Sequence, residues 1–381
     1  MAQTTLIKHA EKILILEFGG IGDVVMAIPT LRAIRGSYPD AHITIALVPR
    51  SVELLSGLAE LDGQKPFELI AFPSLTMTRA VLKLLWQLRR RNYDLVVDLS
   101  AVESVKAGIK RRIFLALLGG KKKIGRDTDG RASYLSYGTD ELLLDDDHEV
   151  DKKFKVAHAL TEVTTQPGTI LPLSNANEKQ ATDLLNSHHI QEDTDILVGF
   201  VPGGSSQIKQ WEPEKFAALA QRLIKRLQAK VVIVGSPGDA NIIQQITKDL
   251  DSQHYIEAVG LSLLDLAALI QKMDAVVSNN TGALHISAAV DVPSVSLFYQ
   301  TNMHRYRPYI DLNRTKLLKK PAAVCPYIHF RSENDACLRE SCKSHECMGY
   351  TVNEVENAVI QLLERLSPKW HLISQSQDGI Q

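Results

Sequence analysis

No cysteine occurs in the first 324 residues; all four fall between Cys325 and Cys347. A small secreted domain held by disulfides is therefore excluded, and a reducing cytoplasm is the expected compartment. Long apolar runs are also missing. Charges such as Arg32 and Lys83 interrupt every candidate before the ~20 residues that a membrane helix needs, so the chain is expected to be soluble or peripheral. The opening run Ile13 to Leu16 passes straight into glycines with no small-residue cleavage site, and reads as a first strand rather than a leader. Charge of one sign is lacking: 43 Lys and Arg stand against 44 Asp and Glu, so the net field gives no argument for a nucleic-acid partner. The G-x-G-x-x-G fingerprint and the Walker spacing are absent, which counts against a dinucleotide oxidoreductase and against ATP hydrolysis.

What is present is an α/β pattern long enough for two cores. The chain has 381 residues, of which 45% are apolar and 23% charged, and single cores tend to split beyond roughly 250 residues. Short β-branched runs at Ile13–Leu16, His42–Val48 and Asp94–Leu99 alternate with helical spacing in the first half. Val25, Ile28, Leu31 and Ile34 form the apolar stripe of the first helix, with Pro29 expected near its first turn or at a bend. Strands at Ile196–Phe200, Val231–Val234 and Ala275–Val277, with helices near 214–228, 263–272 and 283–290, repeat the pattern. Such alternation implies parallel sheets covered by helices, with ligands beyond the carboxyl ends of the strands. The linker is expected near 170–192, with domains at 1–180 and 181–355 and a closing helix and polar tail at 356–381.

Three polar turns, each containing glycine, fall at strand ends. In Gly19-Gly20-Ile21-Gly22-Asp23 the glycines allow close backbone approach, while a carboxylate would repel a pyrophosphate; Asp23 suits a general base, or else simply caps the helix. Pro202 to Trp211 offers the Ser205 and Ser206 hydroxyls and the mobile Lys209 cation, a cradle for a diphosphate leaving group or a solvated loop anchored by Trp211. Ser278 to His285 brings Asn280, Thr281, Gly282 and Ala283 to a helix start, where amides and the helix dipole favour an anion; a bland cap and a satisfied buried His285 are the alternatives.

Together these segments resemble the three signature regions of glycosyltransferase family 9, the ADP-heptose:lipopolysaccharide heptosyltransferases, and the likeness runs in order over about 13–365, through Cys347 to Val352. The resemblance implies a GT-B fold, with two Rossmann-like domains facing each other across a cleft. It further implies an inverting enzyme that moves heptose from ADP-heptose to a lipopolysaccharide core. By the same likeness Asp23 is the catalytic base, Lys209 the donor-phosphate lysine and Thr281-Gly282 the donor-phosphate turn, joined by Ser205, Ser206, Asn280, Ala283 and His285. Gly20, Gly22, Arg126 and Arg131 are the expected acceptor contacts. One departure is Asn280, where many members carry aspartate; an amide replaces the charge expected beside the donor sugar.

From Arg79 to Arg131 there are 14 Lys and Arg against 5 Asp and Glu, a cluster suited to an anionic membrane or a phosphorylated lipid A–Kdo core, or to an ordinary solvated helix face. The expected place of action is thus the inner face of the inner membrane, with no nucleic acid involved. Few aromatics interleave with these cations, as single-strand binding would require. Cys325, Cys337, Cys342 and Cys347 lack a C-x-x-C pair, leaving ordinary thiols, a disulfide or a metal site open. No DxD-type site is apparent, and no obligatory metal is expected. Alternatives are a family member with another donor or acceptor, a nucleotide-sugar epimerase, and a sugar-nucleotide-binding protein without catalysis.

Overall fold

The computed structural model describes residues 9–73, 78–143, 145–163, 166–204, 206–321 and 346–370. The chain divides into two units, Met1–Pro172 and Leu173–Gln381. The first runs β1 (Lys12–Glu17), α1 (Ile21–Ser37), β2 (His42–Leu47), α2 (Leu58–Leu61), β3 (Glu68–Ala71), α3 (Arg79–Arg90), β4 (Leu95–Asp98), α4 (Val105–Leu118), β5 (Lys122–Thr128), β6 (Tyr137–Glu141) and α5 (Glu149–Leu160). All its strands are parallel, in the order β3-β2-β1-β4-β5-β6. Strands buried on both faces read as continuous apolar runs, as β1 and β4 do. One face is covered by α3 and α4, whose Val81, Leu85, Leu88, Phe114, Leu115 and Leu118 pack against Leu14, Leu16, Ala46 and Val96. Helix α1 runs unbroken through Pro29, which lies two turns in rather than near its start.

The second unit runs α6 (Asn175–Ser187), β7 (Leu197–Val201), α7 (Pro213–Leu227), β8 (Lys230–Gly235), α8 (Ala240–Thr247), β9 (Tyr255–Val259), α9 (Leu263–Gln271), β10 (Ala275–Asn279), α10 (Gly282–Ala289), β11 (Ser294–Phe298), α11 (Met303–Tyr306), β12 (Thr315–Lys319) and α12 (Val352–Leu366). Its parallel order, β12-β11-β10-β7-β8-β9, repeats that of the first sheet.

The division between the units falls inside the expected 170–192 window, and two segments hold helices of the second unit. The polar stretch expected as a linker holds α6, because Ser174 caps it, Ala181 and Leu185 are buried, and Asn177 Nδ2 donates to Asp265 on α9 at 2.8 Å. The closing helix begins at Val352, not 356, and belongs to the second core. A capping box of Thr351 and Glu354 starts it, and Val355, Val359, Leu362 and Leu363 join Trp211, Phe216 and Tyr350 in one apolar cluster. Trp211 Nε1 donates to the Tyr350 carbonyl at 2.9 Å, which satisfies the indole's single polar group. No described helix is long and apolar enough to cross a membrane.

Candidate functional site

In each sheet the chain leaves two adjacent strands in opposite directions, and at such a switch point the loops part to form a crevice beyond the strand ends. In the first unit these strands are β1 and β4; in the second, β10 and β7. The turns singled out from the sequence leave β1, β7 and β10.

After β1 the backbone turns through Gly19 and Gly20 into α1, and Asp23 sits in the first helical turn. Its Oδ2 accepts the Gly20 N–H at 2.8 Å, so the capping role is realised, while a half-buried carboxylate keeps a second oxygen for a proton. The turn demands glycine: a Cβ on Gly19 would lie 2.3 Å from the Asp23 Cβ. A Cβ on Gly20 would lie 3.6 Å from an Arg50 guanidinium nitrogen, which brings an exposed cation from the exit of β2 to the same turn. The sequence reading missed Arg50, whose one signal was its place just past a strand end.

Behind Asp23 lies a buried chain of ion pairs. Glu17, 1% exposed, accepts from the Gly19 N–H at 3.0 Å and from Lys153 Nζ at 2.5 Å. Lys153 also lies 3.8 Å from Glu149, which in turn holds Arg126. Burial pulls the Lys153 ammonium down, but the Glu17, Glu149 and Asp23 carboxylates outweigh it and hold the group above its ordinary value.

This network corrects one expectation. Arg126 does not meet an acceptor: it is 1% exposed, and its guanidinium is taken up by Glu141 at 2.7 Å, by Glu149 and by the Leu99 carbonyl at 3.1 Å. A buried arginine makes such a set of bonds because an unpaired charge there would be costly. Arg131 stays partly exposed, paired with Asp129 at 3.0 Å and bonded to the Val102 carbonyl at 3.3 Å.

In the second unit one residue ties two of the turns together. Asn279, fully buried at the end of β10, donates from Nδ2 to the carbonyls of Pro202 (2.8 Å) and Gly203 (3.2 Å) and accepts the Trp211 N–H at Oδ1 (3.1 Å). An amide is the side chain that can do both. Asn279 is not marked in the sequence, where nothing local tells which of the two asparagines, Asn279 or Asn280, turns inward. Between its anchors the loop carries Ser206 and Lys209, both half-buried, with Lys209 Nζ 5.0 Å from the centroid of the Tyr299 ring just past β11. Ser205 lies outside the described residues. The β8 exit closes in as well, because a Cβ on Gly203 would fall 2.9 Å from Asp239 Oδ1. Oδ2 of that residue accepts from the Ser236 N–H and hydroxyl at 2.8 and 2.7 Å.

Helix α10 starts at Gly282 with Thr281 as its cap residue; Asn280, Thr281, Gly282 and Ala283 are half-buried, and their amides stand at the positive end of the helix. His285 is 5% exposed, inside the helix rather than on its loop. Of the cysteines, Cys347 packs against the second core near Met348, and Cys325, Cys337 and Cys342 lie outside the described residues. Among the described residues no three His, Cys, Asp or Glu side chains are grouped to hold a metal.

The geometry is matched by kinship. The model of glycosyltransferase family 9 (heptosyltransferase) matches residues 81–328. Lipopolysaccharide heptosyltransferase 3 of Escherichia coli K12 is 23% identical over 295 residues, 76% of this chain and 83% of that protein. A family 9 glycosyltransferase structure from Veillonella parvula superposes with a TM-score of 0.74 at 20% identity, covering 93% of this chain and 98% of the other. The structure of E. coli ADP-heptose LPS heptosyltransferase II gives 0.66 at 21%, covering 93% and 99%. These likenesses show a GT-B fold, and the family match, which spans well over half of the sequence, shows the rest: the chain belongs to glycosyltransferase family 9 and is a glycosyltransferase.

Proposed function

We propose that the protein transfers heptose from ADP-heptose to a hydroxyl of a lipopolysaccharide core, with inversion at the anomeric carbon, in the cytoplasm at the anionic inner face of the inner membrane. Asp23 takes the proton of the acceptor hydroxyl as that oxygen forms its bond to the anomeric carbon. The bond from that carbon to the diphosphate breaks in the same step, and ADP leaves with the electron pair. Lys209 and the amides of Thr281, Gly282 and Ala283 hold the departing diphosphate, with the Ser205 and Ser206 hydroxyls as further donors and Asn280 near the sugar. Gly20 and Gly22 leave room for the acceptor, and Arg50 and Arg131 meet its negative groups.

The observation that carries this is the Asn279 clamp. It fixes the Lys209 loop to the strand that starts α10, so a cation and a helix N-terminus are preset on one switch point. Donors that need no rearrangement as charge develops are the largest source of leaving-group stabilisation. Asp23, on a turn of its own with a buried counter-charge behind it, supplies the base, a contribution of typically ~10²–10⁴-fold.

Calorimetry with ADP, ADP-heptose, ADP-glucose, UDP-sugars and GDP-sugars tests the donor. ADP alone binds, and ADP-heptose binds best. Product analysis with a heptose-deficient core acceptor then shows a new glycosidic bond of inverted configuration. Transfer from a UDP-sugar, retention of configuration, or donor binding with no transfer to any core acceptor overturns the proposal.

A further inference from the structure

Helices α3 and α4 are apolar on two sides. Their inner sides enter the first core, as described above. On the outside, Leu82 and Trp86 stand four residues apart on α3, while Val105, Ile109, Ile113 and Leu117 follow at four-residue intervals along α4, a spacing that sets them in one stripe. These six side chains are 42–68% exposed and make up six of the eleven large apolar side chains exposed among the described residues. Single exposed apolar residues are ordinary, but a stripe at helical spacing on two neighbouring helices marks a surface that is covered by something. The helices adjoin at their ends: Arg89 of α3 donates to the Ala116 and Leu117 carbonyls of α4 at 2.9 and 3.1 Å.

Charge decides what covers it. Every ionisable side chain on the two helices is a cation: Arg79, Lys83, Arg89 and Arg90 on α3, and Lys106, Lys110, Arg111 and Arg112 on α4. Much of the remaining basic segment is neutralised within the fold, Arg91 by Glu68, Lys121 by Asp94, Arg126 by Glu141 and Glu149, and Arg131 by Asp129. Arg111 turns inward to Asp98 at 3.3 Å. Lys83, Arg90, Lys106, Lys110 and Arg112 stay exposed beside the stripe, and the Arg90 guanidinium lies 4.5 Å from the Trp86 ring centroid. A second copy of this face would set cation against cation, and apolar side chains ringed by lysine and arginine match the boundary between lipid headgroups and acyl chains.

We propose that the outer face of α3 and α4 docks on an anionic lipid bilayer, with Trp86, Ile109, Ile113 and their neighbours entering the headgroup boundary and the basic residues pairing with lipid phosphates. This deepens the transferase proposal and rests on it for one point alone, that the acceptor is borne by lipid.

The test is flotation of the full chain with vesicles of phosphatidylethanolamine and phosphatidylglycerol, against vesicles of phosphatidylcholine alone. The chain floats with the first and not the second, and raised salt releases it. The double change Ile109→Ser with Ile113→Ser lowers partition roughly tenfold or more, since each removes an exposed aliphatic group that docking would bury. Lys106→Gln and Lys110→Gln each lower it roughly fivefold. Parent tryptophan emission shifts to the blue on vesicles, and Trp86→Phe removes that shift. In parallel, the Ile109/Ile113 variant transfers heptose to a delipidated, water-soluble core at the parent rate. Failure of the parent to bind phosphatidylglycerol vesicles overturns the docking face, as does unchanged binding by the double variant, or an effect of that variant confined to self-association or to capture of an acidic protein. If vesicle binding behaves as stated while no sugar is transferred in any assay, the docking face stands and the transferase proposal falls.

Discussion

The two units share a strand order but surround their switch points with different chemistry. Behind the first lie charged groups, with Glu17, Lys153, Glu149, Arg126 and Glu141 joined in a buried chain. The second is organised by a neutral amide, Asn279, and by backbone carbonyls and N–H groups, with Lys209 and Asp239 at its edge. Topology is common to both, so the difference lies in the side chains each unit places at the same location. A group that takes up a proton is set by the field around it, whereas a diphosphate is held by dipoles and cations whose charge stays constant near neutrality. On the proposed chemistry the first unit answers to pH and to loss of charge, and the second to loss of geometry.

The sharpest way to break this contrast is to change one group on each side. Asp23→Asn keeps an oxygen for the Gly20 N–H but cannot act as a base. Turnover falls ~10²–10⁴-fold while ADP affinity by calorimetry is unchanged. Lys209→Met does the reverse, weakening ADP binding roughly 10- to 100-fold through loss of a charge-assisted contact. If Asp23→Asn also abolishes ADP binding, or Lys209→Met leaves it intact, the division of labour is wrong.

Next in size is the buried network. Lys153→Met leaves Glu17 and Glu149, both almost fully buried, short of a cation, and breaking such a pair destabilises by about 3–5 kcal/mol. Urea unfolding measures it. Adding Glu17→Gln to Lys153→Met restores part of the loss, because the stranded carboxylate goes with its partner. A Lys153→Met chain as stable as the parent removes the network from the account.

Parts of this contrast were legible in the sequence. Buried central strands such as β1, β4, β7 and β10 announce themselves as β-branched runs, and the turns after three of them carry glycine beside polar groups. The strands at one end of the first sheet do not: β5 (KKIGRDT), between β4 and β6, and the edge strand β6 (YGTDE) are polar because only some of their side chains face the core. The same strand explains the misreading of Arg126, which looks in sequence like one more surface cation. Its partners Glu141 and Glu149 stand 15 and 23 residues away, and only the fold shows that all three are inside. Glu17 and Lys153, 136 residues apart, were invisible for the same reason. Helix α6 was hidden by polarity of another kind, since a helix needs only a few apolar positions such as Ala181 and Leu185 to dock.

A smaller effect tests the neutral clamp. Asn279→Asp keeps an oxygen for the Trp211 N–H but sets a second oxygen against the Pro202 and Gly203 carbonyls. The Lys209 loop loosens and ADP binding weakens roughly tenfold, in line with about 1–3 kcal/mol for buried polar groups left unpaired. Turnover at saturating donor changes less than with Asp23→Asn. Wild-type ADP affinity in this variant would show that the loop is held by other means.

The smallest effect compares buried with exposed charge. In the second unit Lys320 pairs with Glu354 at 2.7 Å at the start of α12, but both side chains reach water. Lys320 and then the Thr351 N–H hold the Glu354 carboxyl down, from 4.5 to about 2. A lowered carboxylate adds stability that is complete above about pH 4.5 and is lost as the pH falls towards about 2, because the folded state gives up its proton more readily than the unfolded one. Glutamine still accepts the Thr351 N–H, so Glu354→Gln removes the charge and spares the capping box. Melting temperature at neutral pH drops by no more than about 1–2 °C, the gap narrows as the pH is lowered below about 4.5, and it shrinks again in high salt. A loss as large as that of Lys153→Met, or one that grows in acid, would mean that burial is not what separates the charges of the two units.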